Sequence, residues 1–191
     1  MTRWLTEDEQ RSWRAWLAAS LLLQDRLNRD LQEQTGMTMA DYEILVRLSE
    51  SPDRRIRMSE LAELTLSSRS RLSHQIDRMA GAGLVERQMC EDDRRGQFAV
   101  LTDEGWATLV AAAPGHVASV RAHLVDVLSA DEFAELHVDT VELVVRFLQL
   151  GVGFGELQSP GQRLRDRQLG LEGGVRLAHL PVVAALGRVH A

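Results

Sequence analysis

Between Ser67 and Arg78 the chain sets hydroxyls, guanidinium groups and an imidazole at helical spacing. With Leu72 placed at zero and about 100° of advance per residue, Ile76 and Met79 fall near it and mark a buried face. Ser67, Ser70, Arg71, His74, Asp77 and Arg78 fall on the far side, with Ser68 at the helix start. Groups of this kind can hold a polyanion. Short hydroxyls let a helix approach phosphates closely, and arginine offers two donors to a guanine edge. The free N–H groups of a helix N-terminus attract phosphate. The same composition also describes an ordinary solvated helix face.

A second cluster follows. Glu91-Asp92-Asp93-Arg94-Arg95-Gly96 places three acids directly before two arginines at a turn. A carboxylate can hold an arginine extended through a two-pronged bond. A rigid arginine at an exposed tip suits a minor groove, where the potential is most negative. The bland alternative is a solvated turn with an ion pair worth little. Taken together, the helix face and the turn favour double-stranded DNA as the partner.

The elements that must position these groups are readable from spacing. Thr6 with Glu9 matches a capping box, and Trp13, Trp16, Leu17, Leu27 and Leu31 recur helically as far as Gly36. Thr38 starts a second helix carrying Ile44, Leu45 and Leu48, which stops near Pro52. Arg55–Arg57 reads as a short strand. Ser59 is expected to cap a short helix, Glu60–Leu64, and Ser67 another, from Ser68 to about Ala82, closed by Gly81 and Gly83. Leu84–Met89 and Gln97–Leu101 read as a hairpin. Thr102 caps a fifth helix whose stripe runs from Trp106 to Val127, with Pro114 expected to kink it. Ser129 and Glu132 open a sixth.

Helix–turn–helix followed by a hairpin is a winged helix. The fold class is therefore mainly α with a small β-wing. The domain spans 6–150, with a DNA-binding lobe at 59–101. The long outer helices, 6–35 and 102–150, carry stripes too apolar for so small a core, and a homodimer would bury them. Residues 151–191 hold eight of the 14 glycines and read as a loosely ordered extension.

Composition narrows the classes. The chain has 191 residues, 45% hydrophobic and 26% charged, as expected of a globular protein. Net charge is −6, so contact with a polyanion must use a local patch. Residues 54–97 carry nine basic and seven acidic groups, +2, between acidic arms of −4 (1–53) and −6 (98–150). No lysine occurs. One cysteine, Cys90, excludes an internal disulfide framework. No apolar run reaches membrane-spanning length and the N-terminus is acidic, which makes the cytosol the default compartment. Ser20, Ser49 and Ser51 lack a base and oriented acid at recognisable spacing, and no phosphate-binding glycine loop is present, so an enzyme is not expected. No cofactor is implied. A second reading, a winged-helix scaffold that binds a protein partner through its acidic arms, is motivated by the net charge and the tail.

The segment from Leu61 to Gly105 resembles the MarR family of bacterial transcription regulators. Ser68–Met79 resembles that family's recognition helix, and Gly83-Leu84-Val85-Glu86-Arg87 the start of its wing. Asp93-Arg94-Arg95-Gly96 resembles its wing signature, and Leu101-Thr102-Asp103-Glu104-Gly105 the start of its fifth helix. The resemblance implies a dimer with a winged helix in each subunit. It implies that Ser68–Arg78 enters the major groove while Asp93 orients Arg95 toward the minor groove. It further implies a repressor relieved by a small aromatic or phenolic effector, for which Trp13, Trp16 and Tyr42 are candidate lining residues, with plain core packing as the alternative. The tail has no counterpart in that pattern. His116, His123 and His137 do not make a metal set at their spacing. Cys90 is expected to be exposed beside the turn, and the nearby acids oppose a reactive thiolate there.

Overall fold

The computed structural model describes residues 2–90 and 96–149. The 91–95 turn, with its Asp93, Arg94 and Arg95, and the 151–191 segment lie outside the described residues. Helix α1 (Glu7–Thr35) leads to α2 (Met39–Glu50), strand β1 (Arg55–Arg57) and the short α3 (Met58–Leu64). Then come α4 (Arg69–Gly81), strands β2 (Val85–Met89) and β3 (Gln97–Leu101), and helices α5 (Asp103–His123) and α6 (Ala130–Gln149). Among the described residues no helix is long and apolar enough to cross a membrane.

The caps explain most boundaries. Thr6 and Glu9 exchange both bonds of the capping box, and Gly36 closes α1. Thr38 caps α2, Thr102 caps α5, and Ser129 with Glu132 opens α6. Two expected caps are corrected. α3 begins at Met58 with no side-chain cap, so Ser59 lies inside it. Ser68, not Ser67, caps α4, accepting from the Arg71 N–H at 3.2 Å. Ser67 instead donates its hydroxyl to the Thr65 carbonyl at 3.3 Å and so belongs to the turn. The fifth helix is shorter than its apolar stripe suggested. It runs through Pro114 and stops at His123, and Leu124 leaves the helical region at φ −136°.

The strands pair antiparallel in the order β1-β3-β2, with Arg57 opposite Phe98 and Arg87 opposite Ala99. The core joins Leu31 of α1, Ile44, Leu45 and Leu48 of α2, Leu61 of α3 and Leu109 of α5. Leu72, Ile76 and Met79 of α4 seal it, which is the buried face expected from their spacing. Two glycines are required by the junctions around this core. Gly83, at φ +75°, turns the chain from α4 into β2. Its N–H donates to the Ala80 carbonyl, and that of Leu84 to Met79, the paired bonds of a left-handed helix cap. A Cβ on Gly105 would sit 2.0 Å from the Leu84 carbonyl oxygen, so α5 crosses that turn with no room for a side chain.

Candidate nucleic-acid interface

Helix α4 presents three strips. The first, Leu72, Ile76 and Met79, is buried. The strip opposite holds Ser70, Arg71 and His74, all exposed, with Ser68 and Arg69 exposed at the N-terminal end. No side-chain partner engages Arg71 or His74 among the described residues. The flanks between these strips are occupied.

On one flank, Asp41 of α2 accepts two bonds from Arg78, at 3.0 and 2.7 Å, and one from Gln75 at 3.0 Å. The Thr38 hydroxyl donates to the same carboxylate at 2.7 Å. Burial pushes the Asp41 carboxyl up. The bonds from Arg78, Thr38 and Gln75 and the Arg78 charge outweigh it and hold the group below its ordinary range. The same pairing raises the Arg78 guanidinium. Arg78, expected as a DNA contact, thus has its two-pronged face committed to Asp41.

On the other flank, Arg87 of β2 reaches Asp77 at 2.9 Å, the Ser73 hydroxyl at 2.9 Å and the Ser73 carbonyl at 3.0 Å. It also donates to Gln97 of β3 at 2.7 Å. The hairpin is therefore bolted to the helix beside it. Sequence reading placed Arg87 only as part of a strand. Its alternation toward the helix side was the available signal, but its partners are set by packing.

Between the start of α3, the start of α4 and the hairpin lies an open cleft of about 450 Å³. Arg57, Ser59, Arg69, Ser73, Arg87 and Gln97 contribute to its walls, so it is basic and hydroxyl-rich. This cleft adjoins the start of α4 at Arg69 and reaches Gly96 of the hairpin.

The other candidates separate. Tyr42 is buried in the core, its ring centroid 4.6 Å from that of His116. Trp13 and Trp16 stand on α1 and are about half exposed. Tyr42 thus packs in the core of the single chain, whereas Trp13 and Trp16 stay open on α1. His123 bonds Asp30 at 2.9 Å, and His137 is exposed on α6. Among the described residues no three His, Cys, Asp or Glu side chains converge as metal ligands. Cys90, expected to be exposed, is buried, because the hairpin continues past the strands through its N–H bond to the Gly96 carbonyl.

Residues 35–96 match the family model described as MarR family. AbsC, a MarR family transcriptional regulator from Streptomyces coelicolor, is 52% identical, with a TM-score of 0.70 over 78% of this chain and 99% of that one. This chain belongs to the MarR family. Another MarR family regulator from the same organism, Sco3205, is 46% identical and covers 78% of this chain and 92% of its own, with a TM-score of 0.72. Its crystal structure is a complex with DNA. The transcriptional repressor YetL of Bacillus subtilis is 30% identical over 87 residues. That match spans 46% of this chain and about half (52%) of YetL. The MarR family assignment makes the winged helix of α3, α4 and the hairpin a DNA-binding unit of a transcriptional regulator rather than part of an enzyme.

Proposed function

We propose that the chain is a transcriptional repressor that binds a pseudo-palindromic operator as a homodimer and is released by a small aromatic or phenolic effector. The observation that carries the DNA-binding part is the uncommitted strip of α4. Ser70, Arg71 and His74 point outward while both flanks of the helix are held by Asp41 and Arg87. A helix so held can insert in a major groove without losing its angle. Ser68 and Arg69 at its N-terminal end are placed for phosphate. By the family resemblance, Asp93, Arg94 and Arg95, between the two hairpin strands in sequence, take the minor groove, with Asp93 steadying Arg95. That Sco3205 forms a complex with DNA supports this reading. The YetL name supports repression. The apolar face of α1 supports the dimer, and two copies would address half-sites roughly 34–36 Å apart.

Selection of bound fragments from random duplex DNA tests the proposal. One two-fold symmetric motif should emerge. Arg71→Ala should then cost about 1–3 kcal/mol on that motif and relax base choice at one position. Arg95→Ala should weaken all duplexes more evenly. If no motif emerges, or if neither substitution changes binding, the interface lies elsewhere. A thermal-shift screen with phenolic and aromatic acids tests the effector, since a ligand bound only by the folded state raises apparent stability.

A further inference from the structure

We propose that Asp41 is the positioning residue for DNA recognition: it sets the tilt of α4 relative to the arm helix α1, and Arg78 serves this carboxylate rather than a phosphate. The proposal rests on the reading of α4 as the helix that enters the groove.

Helices α1 and α4 both meet the start of α2. The Met39 N–H donates to the Asn28 side-chain oxygen of α1 at 2.9 Å. The Thr38 hydroxyl accepts the Asp41 N–H at 3.1 Å and so caps the helix. The Asp41 carboxylate then receives Gln75 and both Nη atoms of Arg78 from α4. These bonds, joined through the backbone of residues 38–41, link the arm to the recognition helix. The Asp41 side chain is only 5% exposed, whereas that of Arg78 is 61% exposed. The carboxylate is the fixed point and the arginine reaches in to it.

The position of the clamp gives it leverage. Gln75 and Arg78 lie one turn apart on a single flank, toward the C-terminal half of α4, whereas Ser70 and Arg71 lie in its first turn. Helix α4 has 13 residues and so a length of about 20 Å. A tilt of roughly 10° about its middle moves each end by about 1.7 Å, more than a two-pronged hydrogen bond to a base edge tolerates. A bidentate pair resists such rotation in a way that apolar packing does not, because both bonds must stay in plane. Arg87 supplies the matching restraint on the other flank, but it ties α4 to the hairpin, which would move with it. Among the described residues, the hydrogen bonds that tie α4 to α2, and through Asn28 to the arm on which the second copy would sit, converge on Asp41, so Asp41 sets how the two recognition helices of a dimer are angled toward each other.

The test uses the full-length chain, the selected operator duplex and an unrelated duplex of equal length. Asp41→Asn, Arg78→Ala and the double variant are compared for affinity and for its dependence on salt. Asp41→Asn should lower operator affinity by roughly tenfold, a typical size for coupled neighbours, and leave the unrelated duplex within about twofold. Arg78→Ala should match that operator loss without changing the salt slope, and the double variant should be no worse than the poorer single one. Arg78→Lys keeps the charge but loses the two-pronged bond, and should behave like Arg78→Ala. If Arg78→Ala instead weakens both duplexes alike, lowers the salt slope by about one and is rescued by lysine, Arg78 binds phosphate and the proposal is overturned. It is also overturned if Asp41→Asn binds the operator as the unaltered chain does. Should Asp41→Asn not fold, the two Arg78 variants decide the matter, because that side chain is exposed. Failure of the underlying reading looks different: the unaltered chain would then prefer no duplex over another.

Discussion

Arginine supplies every basic side chain of this protein apart from histidine, and the structure sorts its arginines into two kinds. Arg78 and Arg87 have their guanidinium groups committed to Asp41, Asp77 and Ser73 of the fold, whereas Arg69 and Arg71 point into solvent from α4. The carboxylates that receive such bonds also make stability depend on acid. Asp41 is held below its ordinary value of 3.8 as described above. Asp30, at the α1–α5 crossing, is held below it by the Ser119 hydroxyl, against burial, with further help from His123 and Arg26. A carboxyl lowered by folding stabilises the native state above its unfolded pKa, and that contribution disappears as pH falls through the folded value. Urea midpoints measured between about pH 3 and 8 should therefore begin to fall below about pH 6.5, because burial holds the His116 imidazole below its ordinary range, and should fall further below about pH 4 as the two carboxylates protonate. Asp41→Asn should lower the midpoint near neutrality yet show a shallower acid decline. An unchanged acid slope in that variant would mean that Asp41 is not lowered by folding.

The junctions between elements are where small residues matter most. Helix α5 passes over the α4–β2 turn at Gly105, and the Thr102 hydroxyl lies 2.7 Å from the Gly83 carbonyl of that same turn. The start of α5 is thereby joined to the turn that ends α4. Gly105→Ala would drive a methyl to within 2.0 Å of the Leu84 oxygen and 2.8 Å of Leu101 Cδ1. Backbone must move to admit it. We expect a loss of roughly 2–3 kcal/mol in denaturant unfolding, at the upper end for overpacking. Gly81→Ala is the matched control, because nothing stands within 4 Å of a Cβ there, and it should be tolerated.

At the scale of the whole molecule, the arm helix is the unfinished part of the single chain. Leu31 near its end is buried, but Trp13, Trp16, Leu17, Leu21 and Leu22 remain 42–69% exposed. Val138 and Leu143 of α6 are exposed as well. The proposed homodimer would cover this surface. Trp16→Glu combined with Leu21→Glu should give a monomer in sedimentation and reduce operator affinity by about 100-fold or more, because two linked half-sites then bind as one. A variant that remains dimeric would place the interface on another face.

Much of this architecture was legible from residue spacing. Capping at Thr6, Thr38 and Thr102, the Leu72, Ile76 and Met79 seal, and the hairpin strands depend on residues within a few positions of one another, and short-range geometry obeys few rules. The start of α3 and the cap of α4 were each misplaced by one or two residues, because neighbouring serines compete for the same role and the turn at Thr65–Ser67 decides between them. The side chains of the candidate interface were legible by type. Their availability was not. Asp41 and Arg78 stand 37 positions apart, and no local pattern announces that they meet. Tyr42 likewise packs against a residue far along the chain, His116. Sequence alone determined which face each helix turns outward, since that follows from 3.6 residues per turn. Tertiary packing alone decided which charged groups on that face were already taken, since this depends on distances between segments that only folding brings together.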